Sequence, residues 1–250
     1  MTRFAVLADI HANAWALEAV LEDVHRRGLE TILNLGDVLY GPLQPRPTYD
    51  LLMREKAART VQGNQDREIY AAAEPDLAAN PTLAYTVKDL GPEPIAWLRQ
   101  LPRTAELDSG VFLCHGTPAS DTTYLLEDVS SGRPLVRAEQ DVLRDLGGVT
   151  HPVVLCGHTH IPRLVRLANG QMIANPGSVG LPAYADDAPV RHRMETYSPH
   201  ASYAILRQGE AGWYVSFVRV PYDHESAAKQ AAALGRHDWA HALLTGRMAG

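Results

Sequence analysis

The sequence predicts an α/β protein folded as a single domain. Three observations carry that expectation. The first 35 residues read strand, helix, strand. Short apolar runs recur along the chain, several of them stopped by Gly, Asp or His. No repeat, low-complexity run or linker divides residues 1–250. Phe4 to Ala8 is short, apolar and ended by polar residues, as a buried strand is. Asn13 is a good helix N-cap; Leu17, Val20, Leu21 and Val24 then fall at helical spacing over Ala14–Val24, and Gly28 closes the helix. Thr31 to Leu35 is a second strand, stopped by Gly36, and the short connections imply a parallel pair.

A helix over Tyr49–Ala57 and a strand at Arg59–Val61, stopped by Gly63, follow. Residues Ala71–Leu101 carry Pro75, Pro81, Pro92 and Pro94, so two or three short helices are expected there as an insertion. Gly110–Cys114 and Pro152–Cys156 are short apolar strands, and Leu125–Leu146 between them reads as a second helical insertion. Arg163–Leu167 and Gln171–Ala174 flank Asn169-Gly170, the strongest hairpin signal. Ser202–Leu206 and Gly212–Val220 alternate as strands do, and the alanine-rich tail 223–248 reads as helix.

Composition narrows the function classes. With 46% hydrophobic and 21% charged residues the balance is that of an ordinary globular protein. No run of 18 apolar residues exists, which excludes a spanning helix. The apolar segment after Met1-Thr2-Arg3 is too short for the core of a signal peptide. A net charge of -6 and a pI of about 6.0 argue against wholesale nucleic-acid binding. Two cysteines cannot make a disulfide scaffold, so a reducing, cytoplasmic setting is expected. Edge strands allow a homodimer.

The residues that follow the strands carry the chemistry. Asp9 and His11 follow the first, Gly36 and Asp37 the second, and Gly63, Asn64 and Asp66 the third. His115 follows Gly110–Cys114, and Gly157, His158 and His160 follow Pro152–Cys156. In an open parallel sheet the carboxyl ends of the strands form the ligand crevice. Asp-x-His and His-x-His place two side chains on one side of the chain, because strand side chains alternate. Seven candidate ligands are too many for one tetrahedral zinc and suit two metals sharing a bridging carboxylate, the usual device for in-line phosphoryl displacement.

Asp9-Ile10-His11, Gly36-Asp37, Gly63-Asn64, His115-Gly116 and Gly157-His158-Thr159-His160 together resemble the five motifs of the calcineurin-like metallophosphoesterases, from Ala5 to about Gly180. Asn175-Pro176-Gly177-Ser178-Val179-Gly180 resembles a segment of the compact bacterial and archaeal phosphodiesterase branch. The resemblance implies a four-layer αββα sandwich of two mixed sheets flanked by helices. It implies that Asp9, His11, Asp37 and His160 hold one divalent metal, and that Asp37, Asn64, His115 and His158 hold the other, with Asp37 bridging. Mn²⁺ is the first choice for mixed oxygen and imidazole ligands, with Fe, Ni, Co or Zn as alternatives. The implied activity is hydrolysis of phosphodiesters or phosphoanhydrides, or of monoesters, by a metal-bridging hydroxide. The implied substrate is a small phosphate ester or nucleotide, with Asp37, Asn64, Gln65 and His115 in the catalytic set. Two other classes share the fold pattern: a non-catalytic scaffold, which typically has lost metal ligands, and a nucleotide-binding regulator.

One position departs from the pattern. Many members carry His directly after the Asn, where this chain has Gln65. An amide can donate a hydrogen bond to a phosphoryl oxygen but cannot supply a proton. General acid help is typically worth about 10²–10⁴-fold, so good leaving groups are expected: aryl or nucleotide diesters, or anhydrides. Asp66 is placed to orient Gln65 or a water. Arg67 and Asn13 are candidate substrate contacts, Asn13 also being read as an N-cap. Cys114 and Cys156 are expected to be buried thiols, and His237 and His241 to lie on a solvated helix face. Arg191-His192-Arg193 is expected to be a solvated basic loop, with a phosphate contact as the alternative.

Overall fold

Alternation along short strands sorts the side chains into separate layers. The computed structural model describes residues 2–55 and 58–249. Strand β1 (Arg3–Leu7), helix α1 (Ala14–Arg26), β2 (Ile32–Asn34), α2 (Pro45–Leu52) and β3 (Ala58–Thr60) form a parallel β1-β2-β3 core. The later strands β13 (Ala201–Gly209) and β14 (Gly212–Val220) add to it antiparallel, giving the order β14-β13-β1-β2-β3. The second sheet has the order β4-β5-β8-β10-β9, built from β4 (Thr104–Leu107), β5 (Val111–Cys114), β8 (Val153–Leu155), β9 (Arg163–Arg166) and β10 (Met172–Asn175). Its central three strands are parallel and its two edges antiparallel.

The two sheets pack face to face. Phe4, Val6 and Ala8 share one buried cluster with Val111, Leu113, Val153 and Leu155. The alternate residues Ala5 and Leu7 instead join Leu17, Val20 and Val24 of α1. On the outer face of the second sheet, Phe112, Cys114, Val154 and Cys156 pack against Leu125, Val142 and Leu146 around α7 (Glu139–Asp145). The result is the expected four layers. Burying one such Leu or Val contributes about 1.5–3 kcal/mol, so the period-two pattern fixes the register.

Several elements differ from expectation. The helix read over Tyr49–Ala57 begins earlier, with Pro45 at its first turn, and gives way to a turn after Leu52; Lys56 and Ala57 lie outside the described residues. The prolines of 71–101 begin helices rather than end them: α4 (Glu74–Ala79), α5 (Pro81–Leu90) and α6 (Pro92–Gln100) each carry one at the first or second position. Leu125–Leu146 is only partly helical. It opens with a two-stranded ribbon, β6 (Glu127–Asp128) and β7 (Leu135–Val136), before α7. Ser130-Ser131-Gly132 favours a turn there, and the Asp128 carboxylate accepts from the Ser130 amide at 2.8 Å. The tail is two helices, α8 (His224–Ala233) and α9 (His237–Thr245), parted at Gly235. A hairpin of β11 (Ala183–Asp186) and β12 (His192–Glu195) and the strand β4 lie outside the expected elements; each of these strands is only four residues long and none is a continuous run of aliphatic residues. Among the described residues no helix is long and apolar enough to cross a membrane.

Candidate metal centre

The loops that leave the parallel strands turn sharply and aim their first polar side chains at one rim. Seven described non-glycine residues have positive φ, and five are expected ligands: Asp9, His11, Asp37, His158 and His160. Left-handed backbone at a non-glycine residue costs on the order of 1–3 kcal/mol and persists only where the surroundings over-determine it. Here they do. The Asp9 amide donates to the Gly36 carbonyl and the His11 amide to the Asp37 carbonyl, each at 3.0 Å. The 175–180 segment braces the loops from behind. Ser178 Oγ donates to the Asp9 carbonyl at 2.7 Å, and Asn175 Nδ2 donates to the Gly157 carbonyl at 2.7 Å. Gly180 lies so close to the Ile10 carbonyl that any Cβ would collide with it.

Two groups of three side chains result: Asp9, His11 and His160, and Asp37, His115 and His158, with ligand atoms within 4.8 Å of one another in each. In the first, His11 Nε2 is 3.0 Å from His160 Nε2, and Asp9 Oδ1 is 3.4 Å from His160 Nε2 and 4.0 Å from His11 Nε2. In the second, His115 Nε2 is 3.4 Å from Asp37 Oδ2 and 3.1 Å from Asn64 Oδ1. Ligands about 2.1 Å from one cation, at right to tetrahedral angles, stand about 3.0–3.4 Å apart. These spacings match that range, apart from the 4.0 Å separation.

The histidines are oriented as ligands. His115 Nδ1 and His160 Nδ1 lie 2.7 Å from the carbonyls of Leu35 and Leu181. A carbonyl only accepts, so each Nδ1 carries a hydrogen and each Nε2 is the ring nitrogen turned to the site. His158 is reversed: its Nε2 donates to the Thr122 carbonyl at 3.1 Å, which leaves Nδ1 free. Asp9 Oδ1 is buried with no hydrogen-bond partner among the described residues. An orphaned carboxylate oxygen among imidazole lone pairs, with no thiolate in either group, fits a divalent cation of borderline hardness.

Electrostatics divides the imidazoles. Burial, then the His160 charge, lowers His11 to about 4. Burial, then His115, lowers His158 to about 4. Burial works against ionisation of Asp37, but the His115 imidazole overrides it and holds the carboxyl well below the usual range. Burial likewise opposes a charge on His115, and Asp37 overrides it, raising the imidazole to about 10. Coordination at His115 therefore expels a proton.

The other expected residues divide. Asn64 and Gln65 open α3 (Asn64–Ala71) and line the cavity at the rim. The Gln65 amide donates to Asp37 Oδ1 at 2.9 Å, and its side-chain Oε1 is buried without a partner among the described residues. Asp66 is fully buried and is engaged by backbone amides. It accepts from the amides of Asp37 (2.8 Å), Val38 (2.9 Å) and Gly63 (3.0 Å), locking two motif loops together. Burial, then the Asp37 charge, pushes it up to about 7. Arg67 is turned to Asp121 through Nε (2.8 Å) and NH2 (3.1 Å) and lines neither described cavity. Asn13 is fully buried. Its Oδ1 caps α1 through Ala16 and its Nδ2 donates to the Gly180 carbonyl and the Tyr222 hydroxyl, which places it as a cap and brace.

Cys114 and Cys156 are buried thiols, and burial raises Cys114 to about 12. His237 and His241 belong to neither ligand group. The basic run is strand rather than solvated loop at its centre: His192 is buried in β12 with Nε2 2.9 Å from the Tyr124 hydroxyl. Tyr184 extends that contact toward the rim. Its hydroxyl lies 3.0 Å from that of Tyr124 and 3.1 Å from the His158 carbonyl, and its ring centroid is 4.6 Å from that of His160. No sequence pattern marks Tyr124 or Tyr184, because both reach the site only through tertiary packing.

Two cavities meet at this rim. One, of about 450 Å³, is bordered by ligands of both groups; the other, of about 960 Å³, opens on the far side, with Asn64 and His158 bordering both. A two-sheet sandwich whose strand ends gather carboxylate, amide and imidazole around an open cleft defines a class, and residues 2–196 match the calcineurin-like phosphoesterase superfamily domain. The chain belongs to that superfamily. It is similar over nearly its whole length to a metallophosphoesterase of Sphaerobacter thermophilus, with 25% identity, a TM-score of 0.76, and 98% of this chain and 100% of that one covered. It is also 26% identical to the uncharacterized protein MJ0912 of Methanocaldococcus jannaschii, over 94% of each chain.

Proposed function

We propose that the protein is a binuclear metal-dependent phosphoesterase acting on phosphodiesters or phosphoanhydrides. The observation that carries the reading is the pair of adjacent ligand groups on one cleft, each with ligand spacing suited to one cation. When bound, two divalent cations supply Lewis-acid polarisation of the phosphoryl oxygens and an activated water. Asp9, His11 and His160 would hold one, and Asn64, His115 and His158 the other. Asp37 would serve both, its carboxylate fixed by the Gln65 amide. Mn²⁺ is the proposed metal.

The chain's own contribution is positioning. Backbone carbonyls of Leu35, Leu181 and Thr122 orient three imidazoles before any substrate arrives. Gln65 borders the cavity as a neutral hydrogen-bond group and brings no proton to a departing alkoxide. Substrates whose leaving group needs no protonation follow from that. Cavities on both sides of the rim suit a phosphorus carrying a substituent on each side.

The test is metal-dependent release of p-nitrophenol from bis(p-nitrophenyl) phosphate, with elemental analysis of the purified chain. Two metals per chain and activity reduced by about 10³-fold or more in Asp37→Ala and His115→Ala are expected. Full metal binding with no turnover of any diester or anhydride would overturn the reading.

A further inference from the structure

The superfamily match ends at residue 196, yet the smaller cavity at the rim is completed by residues beyond it. Arg236, Asp238 and Trp239 at the start of α9, and Met248 after its end, border it together with Tyr40 and Tyr184. This face is held firmly. Gly246, in the left-handed region, ends α9 so close to the Ser198 backbone that no Cβ would fit. The Tyr197 amide donates to the Gly246 carbonyl at 2.9 Å, and the Met248 amide donates to Glu195 Oε1 at 2.8 Å. The Trp239 ring packs against Gly41 and lies edge-on to the metal-ligand candidate His11, with centroids 5.8 Å apart.

The chemistry of the two cavities differs. In the smaller, Asp238 takes Arg236 through Nε (2.9 Å) and NH2 (2.6 Å), and NH1 donates to Thr82 Oγ1 at 2.6 Å. Arg236 and Asp238 thus pair with each other, Asp37 and Asp186 also border this cavity, Asp186 bordering the larger one too, and the guanidinium is left over the Trp239 ring at 5.3 Å. Three aromatic rings and a thioether surround the space. The larger cavity carries the carboxylates of Glu68, Glu127, Asp128, Asp141 and Asp186 against the two guanidiniums of Arg137 and Arg144.

We propose that α9 and Met248 form a specificity wall that binds a planar aromatic substituent of the phosphate ester, an arene or a nucleobase. The proposal rests on the phosphoesterase reading for its substrate. Its recognition chemistry is aromatic stacking and thioether contact, typically worth about tenfold or more in affinity for one ring. An aromatic arm is directed to this side, because Tyr40, Tyr184, Trp239 and Met248 border it, whereas Tyr124 alone among Phe, Tyr and Trp borders the opposite cavity.

The experiment is calorimetric binding of four product-like monoesters to the Mn²⁺-loaded full chain: methyl phosphate, phenyl phosphate, ribose 5-phosphate and adenosine 5′-monophosphate. Phenyl over methyl, or adenosine monophosphate over ribose phosphate, should bind at least about tenfold tighter; the pair that shows the ratio tells arene from base. The ratio should fall below about threefold in Trp239→Leu, with metal stoichiometry unchanged. Trp239 is buried, so where that variant does not fold, Met248→Ala reads the same ratio from the rim of the wall. Ratios near one in both pairs, or a ratio that survives the substitutions, would overturn the wall. Diester turnover with ratios of one sinks the wall alone, whereas a clear ratio with no turnover sinks the hydrolase reading alone.

Discussion

The rim of strand ends and the C-terminal helix α9 face one another across the same cavity, and they are built in opposite ways. The rim is assembled from short loops whose shape is set by backbone hydrogen bonds and left-handed residues, with candidate ligands two positions apart within the Asp9/His11 and His158/His160 pairs. The helix side is assembled by packing, from residues whose partners are far away in the chain: Trp239 on Gly41, Arg236 on Thr82, Met248 on Glu195. The difference is one of means: backbone hydrogen bonds between loops shape the rim, whereas side-chain packing shapes the helix side.

The sharpest way to break that comparison is to disturb the rim's backbone without touching a ligand. Gly180→Val drives a side chain into the Ile10 carbonyl and should cost more than about 3 kcal/mol of stability in urea denaturation. A loss below about 1 kcal/mol would show the loops to be compliant. Asp66→Ala removes the acceptor of three amides and is expected to weaken metal affinity by about 10–100-fold in calorimetric titration, with the fold retained by circular dichroism.

Acidity offers a graded probe. Below about pH 10 the metal-free His115 carries a proton, held there by Asp37 against the penalty of burial. Coordination must release it, so apparent metal affinity should rise about tenfold per pH unit from pH 6 to 8, with about one proton released in buffers of differing ionisation heat. His11 and His158, lowered to about 4, are already neutral in that window, whereas Asp66, pushed up to about 7, titrates within it and steepens the slope below pH 7. A flat profile would mean that His115 is not a ligand. A smaller effect is expected for Gln65→His, which should raise turnover of alkyl diesters by about tenfold and of aryl diesters by much less. Equal gains on both would remove the protonation account. Smallest of all, Arg236→Met on the helix side should leave metal affinity within about twofold, since second-sphere effects act through the ligands it does not touch.

The same contrast explains what the residues disclosed in advance. Asp9, His11, Asp37, Asn64, His115, His158 and His160 are legible as one group because each lies within a few residues of the carboxyl end of a strand, and a strand end has a fixed address in a parallel sheet. The layer order was legible because Val6 and Leu7, or Leu113 and Cys114, alternate between cores. Arg67 misled because proximity to Asn64 in sequence says nothing of Asp121, its actual partner 54 residues on. Asn13 was correctly a cap, and its buried contacts to Gly180 and Tyr222 leave nothing for a substrate. The β11–β12 hairpin and the residues of α9 that face the cavity stayed hidden. Ala183–Asp186 and His192–Glu195 have no apolar alternation, and Trp239 within an alanine-rich helix looks like any core residue until Gly41 is brought beneath it.

The left-handed ligand residues have one more consequence. Asp9 and His11 are tied through their amides to the carbonyls of Gly36 and Asp37, and Asp37 and His158 through theirs to the carboxylates of Asp66 and Asp9. With the side-chain directions set by the backbone in this way, exchange of one divalent ion for another is expected to leave the path of the chain unchanged. Under such conditions the occupant is chosen by which divalent ion the surroundings supply, within what oxygen and nitrogen donors accept. The same polypeptide would then work with different elements as supply varies.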